Sequence, residues 1–193
     1  TLTVNGIWNL GGSIASSAIP VGDQAIYSLA GNGRVYASMT NNGGNPRTIF
    51  INGTAGSTTF SGSLNDGPGT SRLLLVKTGG STQTLSGANT YTGTTTVSGG
   101  TLLVNGSLGT NTVTVNTGGA LGGIGSIGGN VTFVSGALAV FTNGAPLTFN
   151  GTVVLSNNTV HLNLPANLGA GTYLLATKPV AGISGLFAGT PVV

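Results

Sequence analysis

The sequence predicts an all-β fold, a parallel β-helix (β-solenoid) with about 20 residues per rung. Residues 73–104 alternate between short apolar or Thr-rich runs and turns made of Gly, Asn or Ser. No part of that stretch has the periodicity of a helix. Further along the chain, segments repeat at an offset near 20 residues, which is typical of strands wound one rung after another.

The chain begins with a predicted strand, Thr1–Gly6, that ends in an Asn-Gly turn and is similar to residues 101–106. Residues 7–30 are the least regular part and contain the only Trp. They predict either an irregular rung or a cap over the open end of the solenoid. Within them we expect a strand at Ala25–Leu29 and allow a short helix at Ser13–Ala18.

The next predicted elements alternate strands with glycine-rich loops. The strands have the inside–outside alternation of half-buried β-structure, and the loops are Asn41–Pro46 and Asn65–Gly69. The predicted strands are Arg34–Met39, Thr48–Asn52 and Thr58–Leu64. We therefore divide the chain into an N-terminal β-rich region, 1–69, and regular rungs over 70–193, as parts of one continuous solenoid. A β-sandwich is the alternative fold for residues 1–69.

The central stretch contains four predicted strands: Leu73–Val76, Thr82–Leu85, Thr94–Val97 and Thr101–Val104. It also contains the segments Lys77-Thr78-Gly79 and Thr84–Gly93, the latter reading TLSGANTYTG, followed by Thr95-Thr96-Val97 and Gly100-Thr101-Leu102. In these segments the chain resembles the autotransporter-associated β-strand repeat, also called the passenger-associated transport repeat. The resemblance implies a right-handed parallel β-helix on a bacterial cell surface. One departure from the family motif is that a single glycine, Gly93, follows Tyr91-Thr92, where a Gly-Gly pair is frequent in the family.

The C-terminal half repeats most clearly. Gly100–Gly109 aligns with Gly119–Gly128 at an offset of 19, and residues 111–121 align loosely with 130–138. Further strands are predicted at Leu147–Phe149, Thr152–Leu155, Thr159–Leu164 and Tyr173–Thr177, and residues 180–193 predict a final rung.

The composition limits the partners. Charged residues make up 4% of the chain, against about a quarter in typical domains. The cations are scattered: Arg34, Arg47, Arg72, Lys77 and Lys178. We therefore expect no nucleic acid partner, because nucleic acids bind clustered cations. There is no Cys, and no apolar run reaches the roughly 18 residues of a membrane helix. A surface with so little charge favours association with other copies.

The motifs that could carry chemistry are weak. Gly123–Gly128 matches G-x-G-x-x-G, but a predicted strand follows it and no acidic residue comes after Asp66, so we interpret it as corner glycines. Asp23 and Asp66 could pair as a glycosidase site, yet both lie in loops, where Asp binds backbone N–H groups. His161 is predicted to point outward without a partner. We predict no catalytic, cofactor-binding or metal-binding residues.

Two features bear on sugar binding. Asn-Gly pairs recur along the chain and are explained by turns that need a left-handed conformation. Exposed tyrosines could instead form part of a glycan-binding face, and the candidates are Tyr27, Tyr36, Tyr91 and Tyr173. Their spacing forms no ladder.

These observations predict an extracellular structural protein. In the leading hypothesis, rods associate end to end, copy upon copy, into a surface fibre or layer. In the alternative, the chain is a passenger stalk or adhesin module of a larger bacterial surface protein and binds glycans. An enzyme acting on polysaccharide is the weakest hypothesis, although a carboxylate pair that converged with Arg34 or Arg72 would favour it. We expect no cofactor.

Overall fold

The computed structural model describes residues 1–10, 23–37, 46–67, 70–134, 137–142, 146–163, 176–177 and 183–187. These residues form β-strands and the corners between them, with no helix among them. The predicted short helix at Ser13–Ala18 and most of the predicted loop at Asn41–Pro46 lie outside the described residues.

Eight short strands form the N-terminal part. They are β1 (Leu2–Thr3), β2 (Ile7–Leu10), β3 (Gln24–Ile26), β4 (Leu29–Ala30), β5 (Arg34–Ala37), β6 (Arg47–Ile51), β7 (Ser57–Phe60) and β8 (Ser63–Asn65).

Twelve strands follow in the most regular part. They are β9 (Leu73–Lys77), β10 (Thr82–Leu85), β11 (Ala88–Asn89), β12 (Thr95–Val97), β13 (Gly100–Val104), β14 (Ser107–Leu108), β15 (Val113–Val115), β16 (Gly119–Gly122), β17 (Ser126–Ile127), β18 (Val131–Phe133), β19 (Leu138–Thr142) and β20 (Leu147–Phe149). The last described strands are β21 (Val153–Asn163), β22 (Ala176–Thr177) and β23 (Ile183–Phe187).

The strands stack into the three faces of a parallel β-solenoid, and each rung gives one strand to each face. Every pairing among the described strands is parallel. The first face contains β3, β6, β9, β12, β15, β18, the start of β21, and β23. The second contains β1, β4, β7, β10, β13, β16, β19 and the end of β21. The third contains β2, β5, β8, β11, β14, β17, β20 and β22.

The predicted fold class is confirmed, and the predicted period holds in the central part. Paired residues are 18 to 20 positions apart from Leu75↔Thr95 through Val113↔Val131. The N-terminal rungs are longer, at 27 positions for Leu2↔Leu29 and 26 for Arg47↔Leu73. The right-handed winding implied by the resemblance stays a prediction.

The first face runs without interruption across the predicted division between residues 69 and 70, because β6 pairs with β9 over five residues. The described N-terminal strands pair in parallel with the next rung. A β-sandwich is built from antiparallel sheets, so the described part of residues 1–69 does not form one.

Several predicted strand boundaries were wrong because corners were missed. Thr58–Leu64 is two strands, β7 and β8, separated by a corner at Gly62, where an added Cβ would lie 1.9 Å from the Gly33 carbonyl oxygen. Ala25–Leu29 is likewise divided between β3 and β4. Conversely, the two strands predicted at 152–155 and 159–164 are one strand, β21, which belongs to two faces.

In most strands whose side chains are described, alternating side chains fill the interior. In β9, for example, Leu73, Leu75 and Lys77 are buried and the residues between them are half-exposed. One interior column runs Ile49, Leu75, Thr95, Val113, Val131, and its neighbour runs Ile51, Lys77, Val97, Val115, Phe133. The core is apolar except for polar residues that are concentrated in the rungs of the resembling segment.

Candidate functional site

Lys77 is buried inside the solenoid. Its Nζ donates hydrogen bonds to the carbonyl oxygens of Thr78 (2.6 Å), Gly79 (3.2 Å) and, in the next rung, Gly99 (3.2 Å). Burial disfavours the charged ammonium and lowers the pKa of Lys77. The alternation Leu73, Leu75, Lys77 is the sequence signal that this lysine points inward. Lys77 therefore serves to cross-link two corners, and its charge is not available to a partner.

Tyr91 is also buried, which rules out the sugar-binding role considered for it. Its hydroxyl is hydrogen-bonded to the Thr95 hydroxyl at 2.5 Å, and Asn111 Nδ2 donates to that same Thr95 oxygen at 2.7 Å. Burial raises the pKa of Tyr91 to about 12. This network joins side chains of two consecutive rungs.

Two buried amides supply hydrogen bonds where the strand ladders are interrupted. The second face has a break between β4 and β7, and there Gln83 Oε1 accepts from Leu29 N at 3.0 Å while Nε2 donates to Leu29 O at 2.9 Å. The third face has a break between β8 and β11, and there Asn89 Oδ1 accepts from Leu64 N at 3.0 Å. Each amide takes over part of the pairing that a neighbouring strand provides elsewhere.

The two aspartates accept hydrogen bonds from backbone N–H groups and do not form a pair. Asp23 Oδ1 accepts from Thr48 N at 2.8 Å. Asp66 Oδ1 accepts from Leu73 N at 2.9 Å, and its Oδ2 accepts from Thr92 N and Thr92 Oγ1 at 3.0 and 2.6 Å. We expected these aspartates to bind backbone N–H groups, and they do. However, most of the partners lie one rung away along the chain and not within the same loop.

Asp66 lines an open depression of about 250 Å³ together with Thr70, Ser71, Arg72 and Thr92. The Ser71 hydroxyl oxygen is buried and has no hydrogen-bond partner within the described part of the chain. Asp23 is not among the lining residues, so the depression contains one carboxylate and one guanidinium. The two carboxylates that glycosidase chemistry requires do not converge here.

Beside the depression, the first face presents an array of threonines, which we call the threonine array. Its members point outward from consecutive rungs and are exposed or half-exposed: Thr94, Thr96, Thr112, Thr114, Thr132 and Thr152. Thr96, Thr114 and Thr132 are in direct register. Thr92, which lines the depression, precedes Thr94 by two residues in the same rung.

The other predicted candidates lie apart from this surface. Tyr27 is 47% exposed, and its hydroxyl accepts from Ala55 N at 3.2 Å. Tyr36 lies on the third face, with the Arg34 guanidinium 5.9 Å from its ring centroid. Tyr173 lies outside the described residues. The tyrosines that are described do not form a row.

Within Gly123–Gly128, residues 123–125 form a corner and Ser126–Ile127 is strand β17. The next element is β18, so the helix that dinucleotide binding requires does not follow. Gly123 has a φ of +123° and lies against the Val104 carbonyl oxygen, which explains the glycine. His161 lies in β21 opposite Val140, and the prediction that its side chain points outward falls outside what is described.

Among the described residues, no three His, Cys, Asp or Glu side chains come together as metal ligands would. In the same part of the chain, no helix has the length and apolar character needed to cross a membrane.

Comparison with known proteins agrees with the fold. Residues 75–104 match the passenger-associated transport repeat. Over 90 residues, 46% of this chain, the sequence is 43% identical to the adhesin BmaC autotransporter of Brucella suis biovar 1 (strain 1330). The chain spans 2% of the length of that relative. No solved structure matches significantly. The protein is thus a parallel β-solenoid that contains an autotransporter passenger repeat, as the resemblance predicted.

Proposed function

We propose that this chain is a surface-exposed passenger module of a bacterial adhesin, a stiff rod that also contributes binding surface. The observation that carries the proposal is the continuous parallel stacking through the matched repeat, with the rungs cross-linked from inside by Lys77, Gln83 and Asn89. A strand that is paired on both sides has its backbone N–H and C=O groups hydrogen-bonded, so such strands resist local unfolding. Similarity to an autotransporter adhesin supports the surface location.

Binding instead of catalysis is part of this proposal. The two carboxylates of the chain accept hydrogen bonds from backbone N–H groups, and a hydrolytic site needs converging acids and bases. No cofactor is needed for adhesion by an outer face.

The experiment is an adhesion assay with the whole chain. Beads coated with the purified protein, and matched beads coated with albumin, are washed over epithelial cell monolayers and over immobilised extracellular matrix. We expect retention of the coated beads well above the albumin control. Retention equal to that of albumin on every surface would refute the adhesin function, and release of reducing sugar from offered polysaccharides would indicate an enzyme instead.

Self-association of rods into a fibre or layer is the second candidate, and the scarcity of charge supports it. With charged residues at 4% of the chain, little electrostatic repulsion separates neighbouring copies. Light scattering together with negative-stain electron microscopy tests it. We expect filaments or sheets that grow with protein concentration, whereas a monodisperse short rod at all concentrations would rule the fibre out.

A further inference from the structure

We propose that the threonine array binds an extended, uncharged polysaccharide whose chain runs along the solenoid axis and ends in the depression beside Asp66. The proposal deepens the adhesin function and rests on it, since it names the class of ligand and the face that holds it.

The first argument is periodicity. Parallel strands place Thr96, Thr114 and Thr132 one above another, about 4.8 Å apart. That spacing is close to the length of one hexose unit in an extended β-linked chain. A polymer lying along the axis can therefore meet at least one threonine in each rung: a pair in the first two rungs, Thr132 beside Asn130 in the third, and Thr152 beside Val154 in the fourth. A rigid array loses little entropy on binding.

The second argument is the chemistry of the side chains. Each threonine hydroxyl is both a donor and an acceptor, as sugar hydroxyls are. The described structure gives the array hydroxyls no hydrogen-bond partner, whereas the nearby Thr92 hydroxyl is held by Asp66. The array therefore offers a ladder of unused hydroxyls beside methyl groups.

The third argument is charge. The outward positions of the first face from Thr94 to Ser156 carry no ionisable side chain. In the depression, Asp66 and Arg72 have opposite charges and cancel formally. An anionic glycan gains nothing from such a surface, so an uncharged polymer fits better, and its binding should be insensitive to salt.

The depression provides the end of the site. It lies beside the first rung of the array, where Thr92 precedes Thr94 by two residues, and about 250 Å³ is enough for part of one sugar ring. Ser71 also lines the depression, and its buried hydroxyl oxygen has no partner within the described part of the chain. Arg72 lines the depression and offers a guanidinium group that can donate hydrogen bonds to sugar hydroxyls, beside the Asp66 carboxylate, which holds Leu73 and Thr92 in place.

The test is sedimentation of the purified chain with microcrystalline cellulose at low and high salt, with immobilised heparin as the anionic comparison. We expect salt-independent binding to cellulose and none to heparin. The variant T94V/T96V/T112V/T114V keeps the β-branched shape and removes four hydroxyls, and should bind about tenfold more weakly or worse. Arg72→Gln should weaken binding by a smaller factor.

The matched control is T59V/T82V/T101V, which removes outward hydroxyls from the second face and should bind cellulose like the wild type. Circular dichroism melts of both variants verify that they fold. Equal loss in both variants, or binding only to heparin, would overturn the proposal. Inhibition of ice recrystallisation by the wild type without cellulose binding would also overturn it, because it would assign the array to ordered water.

The two proposals fail separately. If coated beads adhere to cells but the chain ignores cellulose, the adhesin function stands and the ligand class is wrong. If cellulose is bound and the beads adhere to no cell or matrix, the array is a glycan site and the adhesin function is wrong.

Discussion

The N-terminal rungs and the central rungs stack on the same three faces and differ most in one corner. Between the third and first faces, the chain uses seven residues from β8 to β9 (66–72) and three from β17 to β18 (128–130). The corner between the second and third faces stays constant. There, in both regions, a glycine lies against the glycine one rung before it: Gly33, Gly62, Gly87, Gly106 and Gly125.

This comparison indicates which features hold the solenoid in register. At each glycine of the constant corner, an added Cβ would lie 1.9 to 2.2 Å from the carbonyl oxygen of the glycine below it. Rungs of different length can therefore stack as long as this column is kept. The buried amides of Gln83 and Asn89 lie where long rungs meet short ones, and they replace the ladder pairing that is lost there.

The largest loss of stability should come from substitutions in the glycine column that both regions share. Gly62→Ala in the long rungs and Gly125→Ala in the short ones would each place a Cβ 1.9 Å from a backbone oxygen. We expect each to lower the free energy of unfolding by about 3 kcal/mol, measured by urea denaturation. Gly6→Ala, where nothing lies within 4 Å, is the control. A tolerated Gly125→Ala would show that the column does not fix the register.

The next effect concerns the junction between the regions. Gln83→Leu matches Leu102, its neighbour in the same interior column, but leaves Leu29 N and O without their partner. We expect a loss of about 2 kcal/mol, with faster proteolysis of residues 1–65 than of the remainder. Thr82→Val, one residue away and half-exposed, should change stability little. Uniform proteolysis would mean that Gln83 does not join the two regions.

The pH dependence of the free energy of unfolding should reveal the contribution of the buried network around Tyr91. The pKa of Tyr91 is about 12 in the folded protein, and about 10 when unfolded. Between these values the folded state retains a proton that the unfolded state has lost, so stability falls as pH rises, by on the order of 2 kcal/mol in total. Tyr91→Phe should abolish that fall. An unchanged pH profile in the variant would mean that the hydroxyl is not buried.

The titration of Lys77 should make stability rise with pH, opposite to the effect of Tyr91. Its pKa is lowered in the folded state. Between that lowered pKa and the unfolded pKa of about 10.4, the unfolded state binds more protons, so stability rises with pH across this window. Lys77→Met should remove this rise, which is measured in the same urea series. A rise that persists in Lys77→Met would assign it to another group.

The smallest expected loss of stability comes from replacing the aspartates, and the two should differ. Asp66→Asn keeps one acceptor oxygen where the wild type uses two, and should cost about 1 kcal/mol. Asp23→Asn keeps the single acceptor that Thr48 N needs, and should be close to neutral. Thermal melts near neutral pH provide the comparison. Equal losses would show that the seven-residue corner does not depend on its carboxylate.

The sequence predicted the class of fold and most of the central strands, because strand alternation and corner glycines are local signals. Thr82–Leu85 was predicted with its observed boundaries. The predicted strand boundaries were wrong where a corner interrupts an apparently continuous run of strand-forming residues, as between Phe60 and Ser63. A two-residue corner leaves almost no change in composition.

The candidate site was predicted much less well. Tyr91 was considered an outer aromatic and is buried, and Gln83, Asn89 and the threonine array were not singled out. Their roles depend on residues one or two rungs away, 54 positions away for Gln83 and Leu29. Only the register of the stack reveals such pairs.

By itself, then, the sequence determined that the chain winds in short parallel strands, that its surface is nearly uncharged and that it contains a passenger repeat. Tertiary structure decided which polar side chains turn inward, which corner stays constant and which threonines align into one face. The physical reason is that local propensity acts over a few residues, whereas burial and stacking in a solenoid are fixed by neighbours about one rung, or some 20 residues, apart.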